Sequence, residues 1–507
     1  MYRPLLSTGA VLASFMAIQP AGAEAQDFEQ YNLVGVTQYD AMELLSFASQ
    51  AALHQSGEIT AQSLAQTVQA IYLEDGYFLA EVFIAADGTT VIVDEGEIGS
   101  ISIEGTDAQT SELIGSYMAP VIGRRGITQK DFERSIMLVE DIEAISATAA
   151  IDYAPNDPHA RLTLRTEELD KSFGSVTLDH PSRGLDEAAT LTFGQTYLNA
   201  LTPGDMVRLE ASTTLEYGSS NDSTWGALTY RTPFGGSGAF VEGYLGTVTA
   251  FRNADGLLQE TDVEGRTAIF ATGFPFVRDV DTYGYGLAEF RHAASDVDVA
   301  GNPIDSEVNV LALSWIYGAA FDNGGAFEYA LSYAAGERSG NAGGLDDGDD
   351  SFSYIRFGGG IEHPLTGLSQ DTFLRVELWG QYTNDRLPGL EEFHLGGRSD
   401  ERGYLFAEAT GDTGISASFE IDYDIFPDHQ AIRHLRPFGF LDVGYIENNA
   451  PGVDEIDHMT LASLGLGLDA DFNQGVRFKG YIATPLKDGT STEAGDPALY
   501  LSLSKQW

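Results

Sequence analysis

The chain has 507 residues, 43% of them hydrophobic, and a formal net charge of -49 from 76 acidic and 27 basic side chains. So acidic a balance excludes a nucleic-acid partner, because the phosphates would be repelled. There is no cysteine, which excludes disulfides, thiolate metal sites and cysteine nucleophiles.

Residues 1–23 read as a secretory signal. Arg3 supplies the positive charge, Val11 to Ile18 is mostly apolar, and Ala21-Gly22-Ala23 is a small-residue cleavage site. The apolar run is too short to anchor in a bilayer, and no later stretch offers about 18 uninterrupted apolar residues. The mature chain is therefore expected outside the cytoplasm, either soluble or as a membrane β-barrel.

Residues 27–168 carry helical periods. Ala41, Leu44, Leu45, Ala48 and Ala52 form one, and Leu64, Val68, Ile71 and Tyr72 another, with Gly76 as a stop. Short strands follow at Ala80 to Ala85 and Thr90 to Val93. The cycle repeats with a strand at Ser100 to Glu104, a helix at Thr110 to Met118, and a second helix opened by Thr128 with Asp131 three residues on, like a capping box. Ala147 to Tyr153 and Arg161 to Arg165 close it as strands. Two α/β units in tandem, 27–97 and 98–168, are expected.

From Ser172 onward the period becomes two. Ile415, Ala417, Phe419, Ile421 and Tyr423 alternate with Ser416, Ser418, Glu420, Asp422 and Asp424. In a membrane barrel the apolar face meets lipid and the polar face lines a wet lumen. Strands are predicted at 172–179, 188–200, 204–216, 223–232, 237–251, 263–276, 281–294, 306–320, 325–336, 351–362, 371–382, 414–425, 435–446, 457–471, 475–484 and 497–507. Long connections (295–305, 337–350, 383–413, 485–496) largely alternate with short ones (201–203, 233–236, 321–324, 472–474), as between outside loops and periplasmic turns. Sixteen strands, an even number, return both barrel ends to the periplasm. On the last strand Leu499, Leu501, Leu503 and Trp507 share a face, a C-terminus like the signal read by the barrel-assembly machinery.

Three stretches resemble a known family. Tyr72-Leu73-Glu74-Asp75-Gly76-Tyr77-Phe78-Leu79-Ala80 is similar to its helix-end motif. The long loop Phe393-His394-Leu395-Gly396-Gly397-Arg398-Ser399-Asp400-Glu401-Arg402-Gly403-Tyr404 ends like its Val-Arg-Gly-Tyr/Phe loop tip, with Glu401 in place of Val. Phe440-Leu441-Asp442 matches its barrel-wall Phe-x-Asp motif. The chain thus resembles the two-partner secretion transporters (TpsB), the ShlB/FhaC/HecB haemolysin secretion/activation proteins of the BamA-like superfamily.

The resemblance implies two α/β POTRA domains followed by a 16-stranded antiparallel transmembrane β-barrel over 171–507, in the bacterial outer membrane. It implies no enzyme activity and no cofactor, and an unfolded secreted partner exoprotein met in the periplasm. The POTRA units would hold this partner on strands 80–85 and 147–153, and an acidic-lined barrel would conduct it. A BamA-like assembly factor or insertase is the alternative.

Alternation turns Leu441, Val443 and Tyr445 to lipid, so Phe440 and Asp442 point inward. Arg402, on a loop folded into the lumen, then meets Asp442 in a directional pair. Gly396, Gly397 and Gly403 let the loop turn tightly. Glu401 is expected to compete for Arg402 or to extend the pair. Cleavage near Ala23 leaves little chain for the N-terminal plug helix of many family members, so the 383–413 loop is expected to occlude the lumen alone. The 9 histidines lack ligand spacing. Asp346-Asp347-Gly348-Asp349-Asp350 reads as a solvated loop, since it lacks the calcium-loop spacing and final Glu.

Overall fold

A computed structural model describes residues 30–153, 158–180, 189–215, 222–252, 261–339, 349–452 and 456–507. The signal over residues 1–23 and residues 346–348 of the Asp346–Asp350 run lie outside the described residues.

The N-terminal unit is built of two α/β modules with one plan. In the first, β1 (Asn32–Val34) leads to helices α1 (Ala41–Ser56) and α2 (Ala61–Glu74), then β2 (Glu81–Ile84) and β3 (Thr90–Asp94). Asp40 caps α1 by accepting from the amides of Met42 and Glu43, and Thr60 with Ser63 closes a capping box on α2. The helices bury Leu44, Leu45, Leu64, Val68 and Tyr72 against Val91 and Val93. The sheet order is β1-β3-β2, with β1 parallel to β3 and β2 antiparallel to it.

The second module repeats this as β4 (Ile98–Glu104), α3 (Ala108–Met118), α4 (Gln129–Glu140), β5 (Ile145–Tyr153) and β6 (Ala160–Glu168). Its sheet order is β4-β6-β5. The predicted box at the start of α4 is present: Thr128 and Asp131 each accept from the other's amide.

The remaining chain closes into a sixteen-stranded antiparallel barrel. Its first strands are β7 (Ser172–His180), β8 (Ala189–Leu198), β9 (Met206–Leu215), β10 (Asp222–Phe234), β11 (Ala239–Arg252) and β12 (Thr261–Arg278). Then come β13 (Thr282–Val299), β14 (Asn302–Ala320), β15 (Ala326–Ser339), β16 (Ser351–Pro364) and β17 (Thr372–Tyr382). After an excursion through β18 (Phe393–Leu395) and β19 (Ala409–Gly411) follow β20 (Thr413–Tyr423), β21 (Ile432–Glu447), β22 (His458–Phe472), β23 (Val476–Pro485) and β24 (Ala498–Gln506). β24 pairs with β7, so the described barrel has no open edge. Alternation puts Leu245, Phe270, Leu311, Phe419, Leu441 and Leu466 on the exposed outer face, where a membrane protein meets lipid.

Two expectations need correction. The stretch 295–305 is not a long loop. β13 and β14 continue through it in register to Val299↔Asn302, and the chain turns on Ala300 and Gly301, both at positive φ (52 and 85). That two-residue geometry matches the twist of the flanking strands; its acidic residues disguised Val297, Val299 and Ile304 as loop. Nor is the inner wall simply acidic. Arg375 bonds Glu362 at 2.7 Å and Asp422 at 2.9 Å, Arg208 bonds Glu210 at 2.7 Å, and Arg477 pairs with Asp469. In a narrow lumen, rows of unpaired carboxylates would repel one another, and interleaved guanidinium groups relieve this.

Arginine in place of Leu466, in the middle of β22, is expected to destabilise the inserted barrel by about 2–4 kcal/mol. The urea-unfolding midpoint in liposomes reads this directly. An unchanged midpoint would mean that this face does not meet lipid.

Candidate functional site

The chain leaves β17 at Tyr382 and re-enters the barrel at Thr413, and the loop between is held at its base, its limbs and its tip. At the base, the Gln381 amide donates to the carbonyls of Glu391 (3.0 Å) and Asp412 (2.9 Å). The buried Asp412 carboxylate accepts from the amides of Leu387 and Asn449, both at 2.6 Å. The limbs then pair as a small ribbon, Phe393↔Gly411 to Leu395↔Ala409. Glu391 is fully buried and bonds Arg291 at 2.7 Å and the Tyr354 hydroxyl at 2.6 Å.

Beyond the ribbon the chain reverses at Gly396 and Gly397, with φ of 93 and 134, and again at Gly403, with φ of 101. A side chain at Gly396 would strike the Leu405 carbonyl, so the reversal needs glycine there. It delivers Arg402 to the inner wall. Its Nε and Nη2 donate to the two oxygens of Asp442, both at 2.8 Å, and its backbone N–H donates to Asp442 at 3.0 Å. Nη1 donates to Glu420 at 2.9 Å and Nη2 to Ser418 at 3.0 Å. The guanidinium lies 3.4 Å above the Phe440 ring. Arg402 is 5% exposed and Asp442 1%. The bidentate geometry, the stacked ring and the exclusion of water are the conditions under which such a pair is strong.

Register explains why these residues meet. Ser418 lies opposite Asp442 and Glu420 opposite Phe440 across β20 and β21. All four project inward by alternation and form one receptor for the guanidinium. Tyr404 completes the tip: its hydroxyl lies 2.8 Å from the carbonyls of Ala462 and Lys487. Glu408 fastens the returning limb to the last outer loop, accepting from the amides of Ser491 (2.6 Å) and Thr492 (2.9 Å) and the Thr492 hydroxyl (2.8 Å). Burial works against its charge, yet these bonds hold its carboxyl below the ordinary range.

Glu401 neither competes for Arg402 nor extends its ion pair. Its carboxylate turns away, accepting from the Ser416 hydroxyl at 2.7 Å and the Gly396 amide at 3.0 Å. It occupies the space over Gly444, where any side chain would strike it. Burial, with the nearby charges of Asp400 and Asp442 adding to it, raises its carboxyl from 4.5 to about 7, against the pull of its two hydrogen bonds.

Sequence reasoning found Arg402, Phe440 and Asp442 but missed Glu391, Glu408 and the role of Ser418 and Glu420. The last two were visible as the polar face of one strand, and a hairpin register would have set them beside the Phe-x-Asp pair. Leu499, Leu501 and Leu503 lie exposed on the outer face of β24. The Trp507 backbone pairs in both directions with Gly174 and so helps close the barrel.

The family model described as haemolysin secretion/activation protein ShlB/FhaC/HecB matches residues 162–470. No curated protein matches the chain in sequence. Among solved structures, CdiB from Escherichia coli is similar with a TM-score of 0.77 at 17% identity, covering 97% of this chain and 93% of that one. CdiB from Acinetobacter baumannii gives 0.72 at 15% identity, covering 98% and 96%. BamA from Haemophilus ducreyi lacking POTRA domains 1–3 gives 0.55 at 16% identity, covering 94% and 100%. At these identities the structural likeness speaks for the fold.

The Glu401 carboxyl sets a pH dependence for the docked loop. A group whose value is raised in the docked state stabilises that state fully below its ordinary 4.5 and ceases to as pH rises through about 7. Ion current through the barrel is expected to increase from about pH 5 to about pH 8. Glu401→Gln, neutral throughout, is expected to flatten that rise, with Asp400→Asn as the companion variant. A full pH response surviving in Glu401→Gln would contradict the assignment.

Proposed function

The chain belongs to the haemolysin secretion/activation family ShlB/FhaC/HecB, two-partner secretion transporters of the outer membrane, and we propose that it threads one unfolded partner exoprotein through its barrel under control of the Arg402 loop. The observation that carries this reading is the bidentate, buried Arg402–Asp442 pair, which holds a loop against the inner wall of a closed barrel.

In this reading residues 1–23 direct export of the chain, and 27–97 and 98–168 are two POTRA domains in the periplasm. Their sheets end at β2 and at β5, which pair with no further strand among the described residues. Phe83 and Ile84 on β2 and Tyr153 on β5 are exposed beside these edges. An extended segment of the partner adds to such an edge by main-chain hydrogen bonds, with side-chain contacts alternating along it. The partner then enters the barrel, the loop tip leaves the wall, and folding of the partner outside draws the chain through. Leu499, Leu501, Leu503 and Trp507 serve as the signal to the barrel-assembly machinery.

Arg402 acts here as a latch and has no part in bond chemistry. Removing one partner of a buried ion pair costs about 3–5 kcal/mol, enough to shift loop docking by roughly a hundredfold or more. Arg402→Ala is expected to raise ion current and lower partner secretion at unchanged barrel abundance. Arg402→Lys is expected to restore little, because an ammonium cannot bond both carboxylate oxygens in the same plane. Deleting residues 27–168 is expected to abolish secretion while leaving an inserted barrel. Secretion of the partner by that deletion variant would sink the export reading.

A further inference from the structure

The named bonds of the loop tip gather on one arc of the wall. Arg402 reaches β20 and β21, Tyr404 reaches β22, and Arg398 reaches Asp179 on β7 at 3.1 Å. On another arc the barrel contains a cavity of about 550 Å³, lined by Trp225, Tyr244, Val248, Val263, Ala293 and Leu390. Trp225 pairs with Val248 across β10 and β11, and Val248 with Gly265 across β11 and β12. Their shared parity turns them to the lumen, while Leu245, Phe270 and Leu311 stand exposed on the outer face. Leu390 closes the cavity from the loop side. Its position is fixed by the neighbouring Leu387, which packs with Ala293, Val308, Val310 and Tyr354, and by the Glu391 anchor.

The composition of this arc sets it apart. The wall near the latch bristles with paired charges, whereas the six lining residues just named are two aromatic and four aliphatic around open space, with Arg266, Thr247, Thr267 and Ser295 as the polar part of the lining. Glycine keeps that space open. A side chain at Gly246 would meet the Tyr244 ring, and one at Gly265 would meet Val248. Without those side chains the ring and the methyl group lie back along the wall instead of standing into the lumen. A volume of this size is in the range that accepts a bound group of several side chains. Apolar side chains of a chain in transit gain by leaving water there.

We propose that the β10–β13 arc is the track of the exported chain: it takes the apolar and aromatic side chains of an extended polypeptide passing between the wall and the fixed limb of the loop. This rests on the export reading above and adds a route to it. The tip need then swing only away from β20–β22 and β7, while the limb at Leu387 to Glu391 stays seated and forms the inner side of the track.

The test uses the full chain in cells with its exported partner, the partner carrying a stably folded domain at its C-terminus to arrest transit. A photo-crosslinking amino acid is placed at Val248, and in a second strain at Ser502, which faces Asp179 across the closing strands. Partner adducts at Val248 that exceed those at Ser502 are the expected result. Trp225→Ala is expected to lower secretion about tenfold at unchanged barrel abundance, as for loss of one aromatic contact. Three results would overturn the track. They are adducts at Ser502 alone, adducts at Val248 only to this chain's own loop, and secretion proceeding with no adduct at Val248. Each of these leaves export itself standing. Secretion that continues when this protein is removed would instead defeat the export reading.

Discussion

The guanidinium of an arginine with only 5% of its surface exposed has to be matched on every side. For Arg402 the match comes from Asp442, Glu420, Ser418 and the face of Phe440. Burying these charges is costly, and the attraction between them offsets that cost only when the geometry is met in full. The pair therefore adds little to the stability of the barrel, whose ladder of hydrogen bonds is complete without it. What it does determine is the position of the loop. A slight displacement strips the buried Asp442 of its guanidinium, while Glu420 keeps only Arg375 at 4.0 Å, so intermediate positions are disfavoured and docking tends to all or none.

The receptor for Arg402 is continuous with the closure of the barrel. Phe440 meets Tyr481 edge to face at 5.8 Å, and Tyr481 stacks on Tyr500 at 4.9 Å. The Tyr500 hydroxyl donates to Asp179 at 2.7 Å. Asp179 stands on β7, across from Ser502 of β24, and also receives Arg398 from the loop. The side chains under the latch thus run without a break from β21 to the place where the first and last barrel strands join. The wall that holds the loop is braced by the same aromatic rings that fill the inner side of this junction.

Much of this fold was legible in the sequence because its strongest constraint has a period of two. Lipid outside and water inside force alternation on every strand, and each predicted strand corresponds to an observed one within a few residues, apart from the longer β13 and β14. The hairpin at Ala300-Gly301 was not legible, since strands that run past the membrane lose the apolar half of the pattern while keeping their pairing. The pairing of charge along the lumen was not legible for a related reason: net charge sums over the whole chain, whereas the wall is organised in local pairs such as Arg375 with Asp422. Arg402 and Asp442 could be matched through their motifs. Glu391 with Arg291, 100 residues apart in the chain, could not, because only the closed barrel and the folded loop bring them together. Glu401 was misassigned because adjacency in sequence suggested adjacency of charge. The backbone reversal after Gly396 instead sends neighbouring side chains to different partners.

In the export reading Arg402 and Asp442 act as one unit in holding the loop, and a double-mutant cycle on ion current measures that unity directly. Arg402→Ala, Asp442→Ala and the double variant are compared with the unaltered barrel by the fraction of time each conducts. If the pair is the latch, each single substitution opens the barrel, and the double substitution opens it no further than the more severe single one. Additive effects of the two substitutions, or a barrel that conducts no more in any of the three variants, would mean that the pair is not the latch.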